Sequence, residues 1–263
     1  MMHKIKRLLG AALLALLAQA QAQIVQKVVD LPTRPGVTQR LLVLAPPEPK
    51  AAVVLVAGGH GGLRLSSGGA MQWGAGNFLV RSRQLFAEQG LLVAVIDAPS
   101  DRQTPPFLQG FRQTPEHVAD FKAVIAWLRE SVGVPVWLVG TSRGTQSVGH
   151  VATELHGADG PDGIVLSSTI LTDDRSRPVP AMPLASIRIP VLVVHHEQDG
   201  CAHCAFGDVP ALMRQLTGAP RSQLLSFTGG SNQGDACEAM AYHGFNGLEK
   251  DVVQKTAAWI TAR

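Results

Sequence analysis

Val134-Pro135-Val136-Trp137-Leu138-Val139-Gly140-Thr141-Ser142-Arg143-Gly144-Thr145-Gln146 joins three kinds of local sequence within thirteen residues. It begins as a short apolar run with β-branched residues, which reads as a buried strand. It breaks into Gly-Thr-Ser-Arg-Gly, and beyond the break small and apolar residues recur at helical spacing. A turn from strand to helix this sharp forces strained backbone angles on Ser142. It leaves no room for a side chain at positions 140 and 144, and glycine stands at both. The Ser142 hydroxyl is then held at the sheet edge, at the N-terminus of the next helix, where the macrodipole favours developing negative charge.

Outward from that junction the chain alternates strands and helices. Two β-rich runs, 24–30 and 38–45, flank Leu31-Pro32-Thr33-Arg34-Pro35-Gly36 and read as an opening antiparallel pair. An apolar run over 52–57 ends in Gly58-Gly59-His60-Gly61-Gly62. A helix is predicted over 77–89, a buried strand over 91–96, and a clear amphipathic helix over 115–131. After the central junction come a helix over 143–155 and strands over 163–167, 190–195 and 223–227. A closing helix follows over 248–261. This alternation argues an α/β domain with a mostly parallel sheet and helices on both faces. The connection over 171–188 is rich in proline and charge and too short for a substantial helical cap, so an open site is expected.

Gly140-x-Ser142-x-Gly144 between a strand and a helix is the pattern of a nucleophile elbow. A serine hydroxyl is a weak nucleophile until a base takes its proton, and that base needs an orienting acid. Asp199, in the turn just past the strand over 190–195, is the candidate acid; Glu197, Asp173 and Asp174 are fallbacks. An Asp-Gly pair is also an ordinary turn. His243, in Tyr242-His243-Gly244-Phe245 before the last helix, is the candidate base; His117, His150 and His156 read as core or surface residues. Two backbone N–H groups must also converge on the developing oxyanion. Arg143 supplies one candidate, and Gly59 or His60 in the glycine loop supplies the other. That loop lacks the Lys-Ser/Thr of a phosphate cradle.

On these motifs the chain resembles the α/β-hydrolase superfamily over nearly its whole length. The match rests on Gly140-Thr141-Ser142-Arg143-Gly144, on the acid turn at Asp199 and on the late His243-Gly244-Phe245. The resemblance implies an eight-stranded, mostly parallel sheet and a serine-hydrolase mechanism without a cofactor. The lidless layout is similar to dienelactone-hydrolase-like and small exported esterase branches, although true dienelactone hydrolases use a cysteine nucleophile. The implied activity is hydrolysis of a small carboxylic ester. A peptidase or amidase on the same three residues, or a non-catalytic binding protein of the same fold, are the alternatives.

Composition narrows the setting. The chain has 263 residues with 23 Lys and Arg against 20 Asp and Glu. Lys4, Lys6 and Arg7 precede an Ala/Leu run over 8–17 and small-x-small sequences at 18–20 and 20–22, which reads as a secretory signal peptide over 1–22. Its apolar run is too short to span a bilayer. Those three positives account for the net charge, so the domain over 23–263 is balanced at 20 against 20. No basic stripe suggests nucleic acid. Cys201, Cys204 and Cys237 fall late in the chain, and an oxidising compartment permits one disulfide. Cys201 or Cys204 bonded to Cys237 would tie the acid turn to the loop of His243. A zinc reading of Cys201-x-x-Cys204 with His195, His196 or His203 lacks a second ligand pair at proper spacing, and no metal is expected. Trp73 and Phe107 are the aromatics on loops near the expected pocket rim.

Overall fold

The computed structural model describes residues 23–262, so the expected signal peptide lies outside the described residues. Eight strands form one sheet in the order β1-β2-β4-β3-β5-β6-β7-β8. They are β1 (Val25–Arg34), β2 (Val37–Ala45), β3 (Ala51–Val56), β4 (Leu91–Ile96), β5 (Val136–Thr141), β6 (Gly163–Ser167), β7 (Val191–His196) and β8 (Ser222–Phe227). The first hairpin is antiparallel, β2 pairs antiparallel with β4, and every later pairing is parallel. Every residue of β3, β4, β5, β6 and β7 is buried, because helices cover both faces, and polar residues enter these strands only at their C-terminal ends, at Thr141, Ser167, His195 and His196.

The two-residue period sorts these strands into two cores. Ala52, Val54 and Val56 of β3 point to the face covered by α3 (Pro115–Val132), α4 (Gly144–Glu154) and α5 (Val209–Gln215). Ala51, Val53 and Leu55 point to the other, covered by α1 (Phe78–Arg81), α2 (Arg83–Glu88) and α6 (Glu249–Thr261). Helix α3 carries its own boundaries. Thr114 caps its start by accepting the His117 N–H at 3.3 Å, Pro115 follows at the first position, and Gly133 ends it at φ 63°.

Three expectations are corrected here. The helix over 77–89 is two short helices, because Ser82 adopts φ −90° and ψ 0° and breaks the path. Strand β1 runs through Pro32 and Thr33 to Arg34, so the turn is the tighter Pro35-Gly36 with Gly36 at φ 72°. Proline is tolerated there because β1 is an edge strand, where a missing N–H breaks no essential ladder bond. Helix α5 had no counterpart among the expected elements. The connection over 171–188 holds only two single 3-10 turns, Val179–Ala181 and Leu184–Ser186, and no cap domain.

From β3 the chain crosses to β4 on one side of the sheet, and from β5 it crosses to β6 on the other. The C-terminal ends of β3 and β5 therefore flank the point where the strand order reverses, and open α/β sheets form their ligand crevices there.

Candidate active site

Ser142 sits just past β5 with φ 51°, a left-handed conformation that costs a residue with a side chain about 1–2 kcal/mol. Neighbouring hydrogen bonds hold it there. Its N–H donates to Ser167 O at 3.0 Å, while its carbonyl accepts from Thr145 N at 2.9 Å and Thr145 Oγ1 at 2.6 Å. The glycines on either side are sterically required. A Cβ on Gly140 would lie 2.7 Å from Gly144 O, and one on Gly144 would lie 2.2 Å from Val56 O.

Asp199 and His243 meet beside this turn. Asp199 leaves the end of β7 and His243 occupies the 3-10 turn Tyr242–Gly244, and both are buried. His243 Nδ1 and Asp199 Oδ2 are 2.9 Å apart, and Asp199 Oδ1 accepts the Cys201 N–H at 2.9 Å. The pairing with a carboxylate places the imidazole proton on Nδ1 and leaves Nε2 as the basic nitrogen. Nε2 is buried and has no hydrogen-bond partner among the described residues. The backbone of His243 is anchored separately, since Ser168 Oγ donates to its carbonyl at 2.7 Å. Ser142 and His243 line one cleft of about 480 Å³, together with Gly58, Gly59, Trp73 and the Cys201–Cys237 disulfide. That bridge links Cys201, two residues after Asp199, to Cys237, six before His243.

The glycine loop closes over the same point. A Cβ on Gly58 would lie 2.8 Å from Ser142 Cβ, so only glycine allows this approach. The N–H groups of Gly59, His60 and Arg143 donate to no acceptor among the described residues. Asp97, buried at the end of β4, holds the loop's continuation: its carboxylate accepts from the N–H groups of Leu63, Arg64, Leu65 and Ala98 at 2.7–3.2 Å. Arg112 holds the loop's start by donating to Ala57 O and Gly59 O at 3.1 and 3.2 Å. The His60 ring is sandwiched between Trp73 and Phe107, with centroids at 3.7 and 4.3 Å. Burial and the Arg112 charge lower its pKa, so it is neutral at pH 7.

The other candidates lie elsewhere. Glu197 is exposed and accepts from Ser226 Oγ, and Asp174 is exposed on its loop. Asp173 faces Arg143 Nη1 at 2.6 Å and accepts from Ser176 Oγ and Gln146 Nε2. Burial opposes its charge, but the Ser176 and Arg143 hydrogen bonds outweigh that and hold it well below the usual carboxylate range. The histidines beside Cys201-x-x-Cys204 are each engaged. His195 Nε2 accepts from Thr169 N, His196 bridges Gly229 O and Gln198 N, and His203 Nδ1 donates to Thr172 O. Cys201, Cys204 and His243 place their ligand atoms within 4.8 Å of one another, but the Cys201 sulfur is committed to Cys237. Cys204 is a buried thiol that donates to Ser168 O, and burial pushes its pKa up. Sequence reasoning missed Ser168, Asp97 and Arg112. A buried aspartate directly after a strand was a readable signal for Asp97; nothing local marked the other two.

An open, eight-stranded sheet with a serine elbow at the switch point is the α/β-hydrolase fold in its lidless form. No family model matches the chain, and no curated protein matches it. Solved structures do. The chain is similar to a dienelactone hydrolase from Anabaena variabilis, with TM-score 0.62, 16% identity, and 90% of this chain and 97% of the other covered. It is similar to an α/β serine hydrolase homologue from Coxiella burnetii, with TM-score 0.63, 17% identity, and 90% and 100% covered. It also resembles a lidless α/β serine hydrolase from Xanthomonas campestris, with TM-score 0.55, 17% identity, and 88% and 94% covered.

Proposed function

We propose that this protein is an exported serine hydrolase that cleaves carboxylic esters through Ser142, His243 and Asp199. The observation that carries the reading is the buried His243–Asp199 pair opening, with a free Nε2, onto the cleft that also holds the strained Ser142. In this mechanism Ser142 Oγ attacks the ester carbonyl carbon while its proton passes to His243 Nε2. Asp199 stabilises the imidazolium and fixes its tautomer. The N–H groups of Arg143 and of Gly59 or His60 bind the oxyanion. His243 then protonates the departing alkoxide, and water repeats the cycle to release the acid and restore Ser142. The disulfide and the signal-like residues 1–22 support export. Among the described residues no helix is long and apolar enough to cross a membrane.

The test is hydrolysis of p-nitrophenyl esters of increasing acyl length by the disulfide-bonded protein and by Ser142→Ala, with fluorophosphonate labelling alongside. Hydrolysis that falls by about 10⁴-fold or more in Ser142→Ala, with labelling at Ser142, is the expected result. A folded protein that neither turns over any ester nor takes the label would overturn the reading. Faster cleavage of a matched anilide than of the ester would move it to an amidase.

A further inference from the structure

A second cavity, of about 460 Å³, adjoins the glycine loop, and Gly59 and Arg143 line both it and the cleft over Ser142. Four arginines face it, Arg112, Arg143, Arg175 and Arg177, and no Asp or Glu lines it. Arg143 is neutralised from behind by Asp173, whose side chain is fully buried. The other three have no carboxylate partner among the described residues. Arg112 is the informative one. It is only 6% exposed, and its hydrogen bonds go to neutral acceptors: Ser147 Oγ at 2.9 Å and the carbonyls of Ala57 and Gly59. Burial, with the neighbouring Arg143 charge, pulls its pKa down to about 9, so it is still charged at pH 7. A desolvated cation without a counter-ion is costly unless an anion joins it. Arg175 and Arg177 are exposed, but their segment is anchored. Gln113 and Gln146 both donate to Arg177 O, and the Arg175 N–H donates to Asp173 Oδ1. Among the described residues the Arg177 guanidinium has one hydrogen-bond partner, His150 Nδ1 at 3.1 Å.

We propose that the ester cleaved here carries a second, anionic group, of which a carboxylate is the simplest, and that this cavity holds it through Arg112, Arg175 and Arg177. The inference rests on the esterase reading above and adds the substrate class. Because Gly59 and Arg143 wall both spaces, one small molecule can place its ester carbonyl at Ser142 and its anion among the guanidinium groups. Guanidinium groups bind carboxylates through paired, charge-assisted hydrogen bonds. A half-ester of a short dicarboxylic acid has the required form.

The test compares ethyl hydrogen glutarate with ethyl valerate, matched in acyl length and differing by one carboxylate, followed by pH-stat in wild type and in R175E/R177E. Both substitutions sit on exposed side chains, and reading the ratio of kcat/KM within each protein removes differences in folded fraction. The expected wild-type ratio favours the half-ester by at least about tenfold and falls by at least about tenfold in the variant. A wild-type ratio near one, with ethyl valerate hydrolysed, overturns the anionic substrate and leaves the esterase reading standing. A high ratio that survives the charge reversal overturns the assignment to this cavity. If wild type cleaves neither ester, calorimetry with glutarate decides for the cavity alone, and the esterase reading is decided by the p-nitrophenyl esters and the fluorophosphonate label. Binding weakened about tenfold in R175E/R177E retains the anion site, and no binding to wild type overturns it.

Discussion

Asp199 uses each carboxylate oxygen for a different purpose: Oδ1 takes the Cys201 N–H that shapes its turn, and Oδ2 takes the Nδ1 proton of His243. Replacing it with asparagine separates the two. In Asp199→Asn the amide oxygen can still accept from Cys201, but the amide N–H₂ then faces Nδ1 and forces the imidazole proton onto Nε2, where it blocks acceptance from Ser142. The expected outcome is a fall in kcat of about 10³–10⁴-fold with KM little changed, read by steady-state kinetics on any ester that wild type hydrolyses. An unchanged kcat would remove Asp199 from the mechanism. As candidates, Ser142 and Asp199 could be read from the sequence because each closely follows a strand end, and His243 because it stands between the last strand and the closing helix. Ser168 was not, because its bond to the His243 carbonyl joins residues 75 positions apart and leaves no local pattern.

At the level of elements, the buried strands were legible as unbroken apolar runs. What failed were short pieces governed by packing: the break at Ser82, and the seven-residue α5 whose Val209 and Leu212 give a single apolar contact row. The glycine loop shows the same limit. Its composition announced close approach to a substrate, but its shape depends on Asp97, a residue of the next strand's end, receiving four N–H groups. Asp97→Asn keeps the volume, loses one acceptor and turns two hydrogens toward donors. Leaving buried N–H groups without partners costs about 1–3 kcal/mol each, so a destabilisation of about 2–4 kcal/mol is expected in urea unfolding. Activity of the remaining folded protein should also fall, because the Gly59 and His60 N–H groups lose their support. A variant as stable as wild type would show that the loop holds its shape without Asp97.

For the whole molecule, the arginine-lined cavity could not be read from sequence, since its arginines come from three connections that meet only after the sheet forms. The same assembly buries histidines whose titration then reports on folding. His195 is fully buried with Nε2 accepting from Thr169 N, and burial lowers its pKa to about 4. His60, His117 and His150 shift in the same direction, chiefly through burial. An unfolded chain protonates such histidines near pH 6.5, so between about pH 6.5 and 4 the unfolded state binds more protons than the native one. Stability is therefore full above about pH 7 and falls as the pH drops through that window, with His195 alone accounting for about 2 kcal/mol at pH 5. Asp30, Asp173 and Glu249, whose pKa values are lowered, lose their contribution only below about pH 4.5, as they protonate, so the two effects separate. Urea midpoints at pH 7.5 and 5.0 should differ accordingly in wild type. His195→Asn, which keeps an acceptor for Thr169 N, should start lower at pH 7.5 and lose less on acidification. Equal midpoints at the two pH values in wild type would show that these histidines gain their protons as readily in the native state as in the unfolded chain.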